Sequence, residues 1–119
     1  MTAQIPVVVA ETNSYIRAVE DFWDEALQED FKNYIARHYD EGDVIPGLGG
    51  IRKIRWQGGG HGKRGGVRVI YYFYNENFPV YLLFAYSKNM QENLSPEEKT
   101  LLCRYVEKIK EGFRRTEGR

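Results

Sequence analysis

Residues 67–74 read Val67-Arg68-Val69-Ile70-Tyr71-Tyr72-Phe73-Tyr74. β-Branched and aromatic side chains fit a pleated, half-buried surface, so this run predicts a strand in the middle of a sheet. A second run of the same kind occupies residues 80–87, and the residues between the two runs, Asn-Glu-Asn-Phe-Pro at 75–79, have the composition of a turn. The two runs therefore predict an antiparallel hairpin, around which the rest of the fold is arranged.

A third strand is expected on the N-terminal side of this hairpin. Residues 51–56 alternate, imperfectly, between apolar and basic side chains, which is the pattern of a strand with one buried face. The preceding residues 42–50 contain Pro-Gly and Gly-Gly pairs and predict a turn. The connection at 57–66 contains six glycines among its ten residues. The sequence thus predicts a three-stranded meander with one long glycine-rich loop.

Two helices are predicted before the meander. Residues 6–10 form a short β-branched run that predicts a first strand. From residue 15 onward, apolar side chains recur every three or four positions, with a break around Asp24, and this pattern predicts two consecutive helices that end near His38. The candidate N-caps of the first helix are Thr12, Asn13 and Ser14.

The C-terminal helix is the clearest predicted element. Ser-Pro-Glu-Glu at 95–98 matches a capping box with proline at the first helical position. The predicted order is therefore β-α-α-β-β-β-α within one domain at 1–119. This order describes an α+β fold with an N-terminal strand and two helices, an antiparallel β-meander and a C-terminal helix. The apolar stripe of that last helix consists of Leu101, Leu102, Tyr105, Val106, Ile109 and Phe113.

The composition favours a protein of the cytoplasm. No stretch approaches the roughly 20 consecutive apolar residues that a membrane-spanning helix needs. The N-terminus lacks the basic and apolar regions of a secretory signal. Cys103 is the only cysteine in the sequence, so it cannot form an internal disulfide. We therefore expect a cytoplasmic protein with no membrane partner.

The charged residues are distributed unevenly, although the formal net charge is zero. Residues 1–51 carry ten acidic and three basic side chains, whereas residues 44–75 carry six basic side chains and no acidic one. A local basic surface of this kind favours a polyanionic ligand such as RNA. The residues of this segment that we predict to bind RNA are Arg52, His61, Lys63 and Arg64.

Two apparent motifs are excluded by their context. Residues 60–67 satisfy the pattern G-x-G-x-x-G-x-V, but a dinucleotide-binding loop must open a helix, and this one opens a predicted strand. His38 and His61 are the only histidines, and neither has an Asp, Glu or Cys at metal-ligand spacing. The sequence therefore predicts no metal and no cofactor. Any chemistry must depend on Lys, Arg and Tyr, with His61 as a further candidate.

Three segments form a recognisable set: Gly-x-Gly-Gly-Ile-Arg-Lys-Ile-Arg at 47–55, Gly-Lys-Arg-Gly-Gly-Val-Arg-Val-Ile-Tyr-Tyr at 62–72, and Leu-Leu-Phe-Ala-Tyr-Ser-Lys-Asn at 82–89. Together they resemble the core of RelE/ParE-superfamily toxins, most closely the HigB type, over about residues 45–115. The resemblance implies a RelE-like (microbial RNase-like) fold and the toxin role in a type II toxin-antitoxin system. It also implies two partners, a cognate helix-turn-helix antitoxin of the HigA kind and the ribosome with its mRNA.

The same resemblance implies an activity. RelE-type toxins inhibit translation as ribosome-dependent mRNA endoribonucleases, through metal-free attack of a ribose 2′-hydroxyl on the adjacent phosphodiester. Lys53 and Arg55 match the two strand lysines of the family, and Arg68 matches its phosphate-binding arginine. Lys88 matches the lysine that follows the last strand. Cations held in these positions would stabilise the negative charge that develops on the phosphorus centre.

The general acid does not follow from the resemblance. Asn89 stands where the RelE toxins have a catalytic arginine, so another residue must supply the proton. The candidates for this role are Tyr86, Lys88 and His61. The predicted catalytic set is therefore Lys53, Arg55, Arg68, Lys88 and Tyr86.

Two other functions stay open at this point. A ParE-like toxin would share the fold but inhibit DNA gyrase without cleaving RNA, and the basic residues Lys53, Arg55 and Arg68 argue against it. A non-enzymatic domain that binds RNA or a protein partner would also account for the separation of charge. Cleavage of translated mRNA separates the endoribonuclease from both alternatives.

Overall fold

The computed structural model describes residues 5–56 and 66–118. The helices and strands in these ranges confirm the predicted α+β class, with two N-terminal helices, an antiparallel meander and a C-terminal helix. In chain order the elements are β1 (Val9–Glu11), α1 (Asn13–Val19), α2 (Glu25–Ile35), β2 (Asp43–Val44), β3 (Ile51–Trp56), β4 (Val67–Tyr72), β5 (Val80–Ser87) and α3 (Pro96–Glu117).

The strands form one sheet in the order β1-β5-β4-β3-β2. The pairs β2–β3, β3–β4 and β4–β5 are antiparallel, and β1 is parallel to β5. β4 lies in the middle, and five of its six residues are buried. The β-branched and aromatic run at residues 67–72 is therefore the central strand of the sheet.

The sheet separates two hydrophobic cores. Val69 and Tyr71 of β4 pack with Phe31 of α2 on one face, which we call the α1/α2 face. Ile70 of β4 packs with Val106 of α3 on the other, which we call the α3 face. Successive residues of a strand point to opposite faces. Each position on a central strand therefore belongs to one core or the other.

The first strand is shifted from the predicted residues 6–10 to Val9–Glu11. The residues before Val9 are not part of this strand as predicted. Instead, the Val7 N–H donates a hydrogen bond to the carbonyl of Ala36, just beyond α2, at 3.0 Å. β4 also ends earlier than predicted, at Tyr72. The ring of Tyr74 leaves the sheet and packs against Phe113 of α3, with 5.3 Å between ring centroids.

The predicted helix starts are confirmed. Thr12 is the N-cap of α1, and its side chain accepts a hydrogen bond from the Tyr15 N–H at 3.2 Å. Asp24, where the sequence predicted a break, caps α2. The capping box of α3 is present, but α2 ends at Ile35 rather than near His38. Within residues 5–56 and 66–118, no helix has the length and apolar character needed to cross a membrane.

Candidate active site

Three strands bring predicted site residues into one row. Arg55 on β3 lies directly opposite Arg68 on β4, and Arg68 lies opposite Tyr86 on β5. Directly opposed residues of antiparallel strands project from the same face, with Cβ atoms about 5 Å apart. Tyr86 belongs to the core that contains Val106 of α3. The row therefore lies on the α3 face of the sheet.

Lys53 joins this row from the next position on the same face. It stands two residues before Arg55 on β3, and its partner on β4 is Ile70, a core residue of the α3 face. Arg55 is exposed, whereas Lys53 and Arg68 are half-buried. We call Lys53, Arg55 and Arg68 the cationic cluster. Basic side chains that share one face of a sheet can together bind a phosphate group through charge-assisted hydrogen bonds.

Tyr86 lies beside Arg68 and is fully buried. Among the residues that the structure describes, its hydroxyl has no hydrogen-bond partner. Burial raises the pKa of Tyr86, the positive charge of Arg68 lowers it, and the negative charge of Glu98 raises it. Both charged groups therefore act on the same hydroxyl. A catalytic role for Tyr86 stays a prediction, and in this conformation the hydroxyl does not reach the surface.

Lys88 reaches the same end of the sheet from β5. Ser87, the last residue of that strand, lies opposite Val67, and Lys88 follows directly after it. The Gly66 carbonyl accepts a hydrogen bond from the Arg68 guanidinium at 3.4 Å. Lys88 is exposed and begins a tight turn. Lys88 therefore lies just beyond the strand end that carries Tyr86, the partner of Arg68.

Arg52 lies on the opposite face from the cationic cluster. Its guanidinium donates to the carbonyl of Gly42 at 2.7 Å and to that of Asp40 at 3.1 Å. The Gly42 N–H in turn donates to the Tyr71 hydroxyl at 2.9 Å. Arg52 thus anchors the connection between α2 and β2. RNA binding by Arg52 stays a prediction, and its contacts in the structure are those of a structural residue.

The other predicted RNA-binding residues lie outside the described ranges. These residues are His61, Lys63 and Arg64. Within residues 5–56 and 66–118, no group of three or more His, Cys, Asp or Glu side chains could hold a metal ion.

Sequence reasoning missed a contact next to this site. The capping box identifies Glu98 as a helix-capping carboxylate, and this role is observed. The same carboxylate also accepts a hydrogen bond from the Gln91 side chain at 2.9 Å. The only sequence signal is the capping box itself, because the position of Gln91 depends on how the connection between β5 and α3 folds.

The comparison with protein families agrees with this arrangement. A family model described as the RelE toxin of the RelE/RelB toxin-antitoxin system matches residues 18–115. This chain belongs to the RelE toxin family. The matched residues of the toxin include the whole cationic cluster, Tyr86 and Lys88. The superfamily expected from the sequence is thereby confirmed.

The toxin is also similar to a solved structure of the E. coli toxin RelE, a double mutant in the free state. The sequence identity is 12% and the TM-score is 0.46, over 74% of this chain and 90% of that chain. As a member of the RelE family, the protein is the toxin of a type II toxin-antitoxin system, and the family implies a cognate antitoxin.

Proposed function

We propose that this toxin is a ribosome-dependent mRNA endoribonuclease of the HigB type. The observation that carries the proposal is the cationic cluster, in which Arg55 faces Arg68 across two strands and Lys53 shares their face. Strand positions hold these cations in fixed directions before substrate arrives. Preorganised donors of this kind stabilise a transition state that gains negative charge more than they stabilise the ground state.

The proposed reaction needs only proton transfers and charge stabilisation. The ribose 2′-hydroxyl loses its proton, and its oxygen attacks the adjacent phosphorus. The bond from phosphorus to the 5′-oxygen breaks, and that oxygen takes up a proton. The products are a 2′,3′-cyclic phosphate and a 5′-hydroxyl, so atoms and charges balance without a metal or cofactor.

Each member of the site has a proposed role. The planar guanidinium of Arg68 holds two non-bridging phosphate oxygens, because its paired N–H groups match that geometry. Arg55 adds a second cation. Lys53, in its neutral amine form, receives the proton of the 2′-hydroxyl and so becomes the third cation beside the phosphate. Lys88, exposed at the edge of the site, protonates the leaving 5′-oxygen. Tyr86 is not assigned the role of acid, because its hydroxyl is buried and its raised pKa makes it a weaker acid. Its proposed role is to pack beside Arg68.

The charge of the whole chain supports a requirement for the ribosome. The net charge is zero and the N-terminal segment 1–51 is strongly acidic, so long-range attraction to free RNA is weak. The ribosome would present mRNA to a small basic site that cannot capture it from solution efficiently. The proposal therefore places the toxin in the cytoplasm, acting on translated mRNA and neutralised by a HigA-like helix-turn-helix antitoxin.

Primer extension on translated transcripts tests the proposal. The matched control is the same transcript without its ribosome-binding site. We expect breaks at codon positions in the translated transcript only, and almost no cutting of purified RNA by the purified protein. Growth arrest with intact transcripts and gyrase-linked DNA damage would instead support a ParE-like toxin. Growth arrest with neither lesion would support a non-enzymatic binding domain.

A further inference from the structure

One side chain, Gln91, ties down the connection between β5 and α3. Its Nε2 donates to the carbonyl of Asn93 at 3.0 Å and to Glu98 Oε1 at 2.9 Å. The same Glu98 oxygen accepts from the Ser95 N–H at 2.8 Å. A single carboxylate therefore joins this connection to the first turn of α3. We call Gln91 and Glu98 the clamp.

The clamp closes the turn on which Lys88 stands. The N–H groups of Met90 and Gln91 both donate to the carbonyl of Ser87, at 3.0 and 3.2 Å. Lys88 lies between the end of β5 and these two residues, so anchoring Gln91 limits the movement of its backbone. Lys88 and Met90 are exposed, whereas Gln91 is half-buried. The side chain of Gln91 therefore connects this turn to Glu98 in the first turn of α3.

The clamp also lies close to the cationic cluster. Glu98 acts electrostatically on the buried Tyr86 hydroxyl, and Arg68 lies directly opposite Tyr86 across the strands. Lys88 follows two residues after Tyr86, the partner of Arg68, so Arg68 on β4 and Lys88 after β5 lie toward the same end of the sheet. Catalytic groups need a supporting structure, because a displacement of about 1 Å can lower a rate about 100-fold.

We propose that Gln91 is a positioning residue, which through Glu98 holds the Lys88 turn so that Lys88 and Arg68 act on the same phosphate. The inference rests on the proposed function. Gln91 itself contacts neither RNA nor the reacting atoms in this scheme. Its effect on the reaction passes entirely through Lys88.

Two substitutions separate positioning from general stability. Gln91→Ala removes both hydrogen bonds of the clamp side chain and leaves the Ser95 cap intact. Ser95→Ala removes the hydroxyl that accepts from the Glu98 N–H at 3.1 Å and leaves the Gln91–Glu98 bond intact. Loss of an N-cap side chain costs about 1 kcal/mol of stability. Ser95→Ala therefore perturbs the start of α3 while both hydrogen bonds of the Gln91 side chain remain.

We expect Gln91→Ala to cut translated mRNA at least about tenfold more slowly. Its melting temperature should also fall, because it loses two hydrogen bonds, so the comparison is with Ser95→Ala, which loses stability at the same end of α3. Ser95→Ala should melt at a lower temperature and cut at the wild-type rate. Wild-type cutting by Gln91→Ala would overturn the proposal. So would an equal loss of cutting in both variants, because that pattern indicates a purely structural effect.

A double-mutant cycle with Lys88→Ala tests whether the effect passes through Lys88. Lys88→Ala should be slow, and adding Gln91→Ala should slow it no further. Independent losses that multiply, or a fully active Lys88→Ala, would contradict positioning of Lys88. If the wild-type toxin leaves translated mRNA uncut, the proposed function itself fails. If the wild type and Lys88→Ala behave as expected but Gln91→Ala is fully active, only the positioning inference fails.

Discussion

Arg68 is the residue on which the proposed chemistry depends most. It stands between Arg55 and Tyr86 in the row across the sheet. Arg68→Ala removes one transition-state donor, which typically costs about 3 kcal/mol, or about 100-fold in rate. We expect loss of growth arrest on expression, with a folded protein by circular dichroism. Arg68→Lys should recover only part of the activity, because an ammonium cannot reproduce the paired N–H groups.

The matched control for Arg68 is Arg104→Ala, since Arg104 is exposed on α3. This variant should remain fully toxic. A folded and toxic Arg68→Ala protein would exclude the catalytic assignment. An unfolded Arg68→Ala protein would indicate that the arginine serves the fold instead.

Arg52 and Arg55 make a second comparison, because they lie on opposite faces of β3. The Arg52 guanidinium is bonded to two backbone carbonyls, and hydrogen bonds to a charged group are worth about 2 kcal/mol each. Arg52→Ala should lower the free energy of unfolding by about 2–4 kcal/mol in a urea titration, because one of the two bonds is exposed and contributes less. Arg55→Ala should lower it by less than Arg52→Ala does, because Arg55 is exposed, yet it should reduce mRNA cleavage. The reverse pattern would contradict the assignment of faces.

Tyr86→Phe tests whether the buried hydroxyl takes part in the reaction. An unpartnered buried hydroxyl carries a desolvation penalty of about 1–3 kcal/mol, so the variant should be at least as stable as the wild type. We expect it to retain cleavage, because Arg68 and the neighbouring core keep their packing. Thermal melting and primer extension measure the two quantities. A stable but inactive variant would contradict this expectation and show that the reaction requires the Tyr86 hydroxyl.

At the level of whole elements, the connection from α2 to β2 is packed too closely for any side chain at Gly42. A Cβ added there would lie 2.6 Å from the Tyr71 hydroxyl and 2.9 Å from the Lys53 carbonyl. Gly42→Ala should therefore destabilise the fold by about 1–3 kcal/mol and disturb the strand that carries Lys53. Chemical denaturation measures the first effect.

Gly112 in α3 provides the opposite case. Among the described residues, no atom outside the local helix backbone would lie within 4 Å of an added Cβ. Gly112→Ala should stabilise the helix by about 0.5–1 kcal/mol, because alanine loses less backbone entropy. If Gly42→Ala were as stable as Gly112→Ala, the close packing around Tyr71 would be refuted.

The sequence predicted those elements whose signals are local. The strands at 51–56 and 80–87 and the cap of α3 follow from alternation and capping chemistry, and all three are confirmed. β2 was not predicted, because its two exposed residues become a strand only by pairing with β3. The parallel pairing of β1 with β5 joins segments about 70 residues apart, and no local pattern contains that information.

The candidate site was predictable only in part, because some of its features depend on local sequence patterns and others on the pairing of distant strands. Alternation along β3 implies that Arg52 and Lys53 point to opposite faces, but it does not reveal which face belongs to the site. The pairing of Arg55 with Arg68 depends on strand register, which is set by packing of the whole sheet. The family resemblance supplied the grouping of these residues, whereas the contacts of Gln91 required the folded connection.

At the scale of the whole molecule, buried tyrosines in both cores couple stability to alkaline pH. Burial raises the pKa of Tyr71, in the α1/α2 core, to about 12, and that of Tyr72, in the α3 core, to about 12. In the unfolded chain both ionise near pH 10.0. Their contribution to stability is therefore complete below pH 10 and is lost as the pH rises toward 12.

A shift of two pH units corresponds to about 3 kcal/mol for each tyrosine, which is a large part of the roughly 5–15 kcal/mol that stabilises a domain. We therefore expect the protein to unfold between pH 10 and 12, with a late, cooperative rise in phenolate absorbance that coincides with loss of circular dichroism. Tyr72→Phe should shift this transition to higher pH, because one fewer buried phenol ionises on unfolding. Tyr105→Phe, at a residue 43% exposed on α3, should leave the transition unchanged. If all the phenols ionised near pH 10 while the circular dichroism stayed constant, the tyrosines would not be linked to folding.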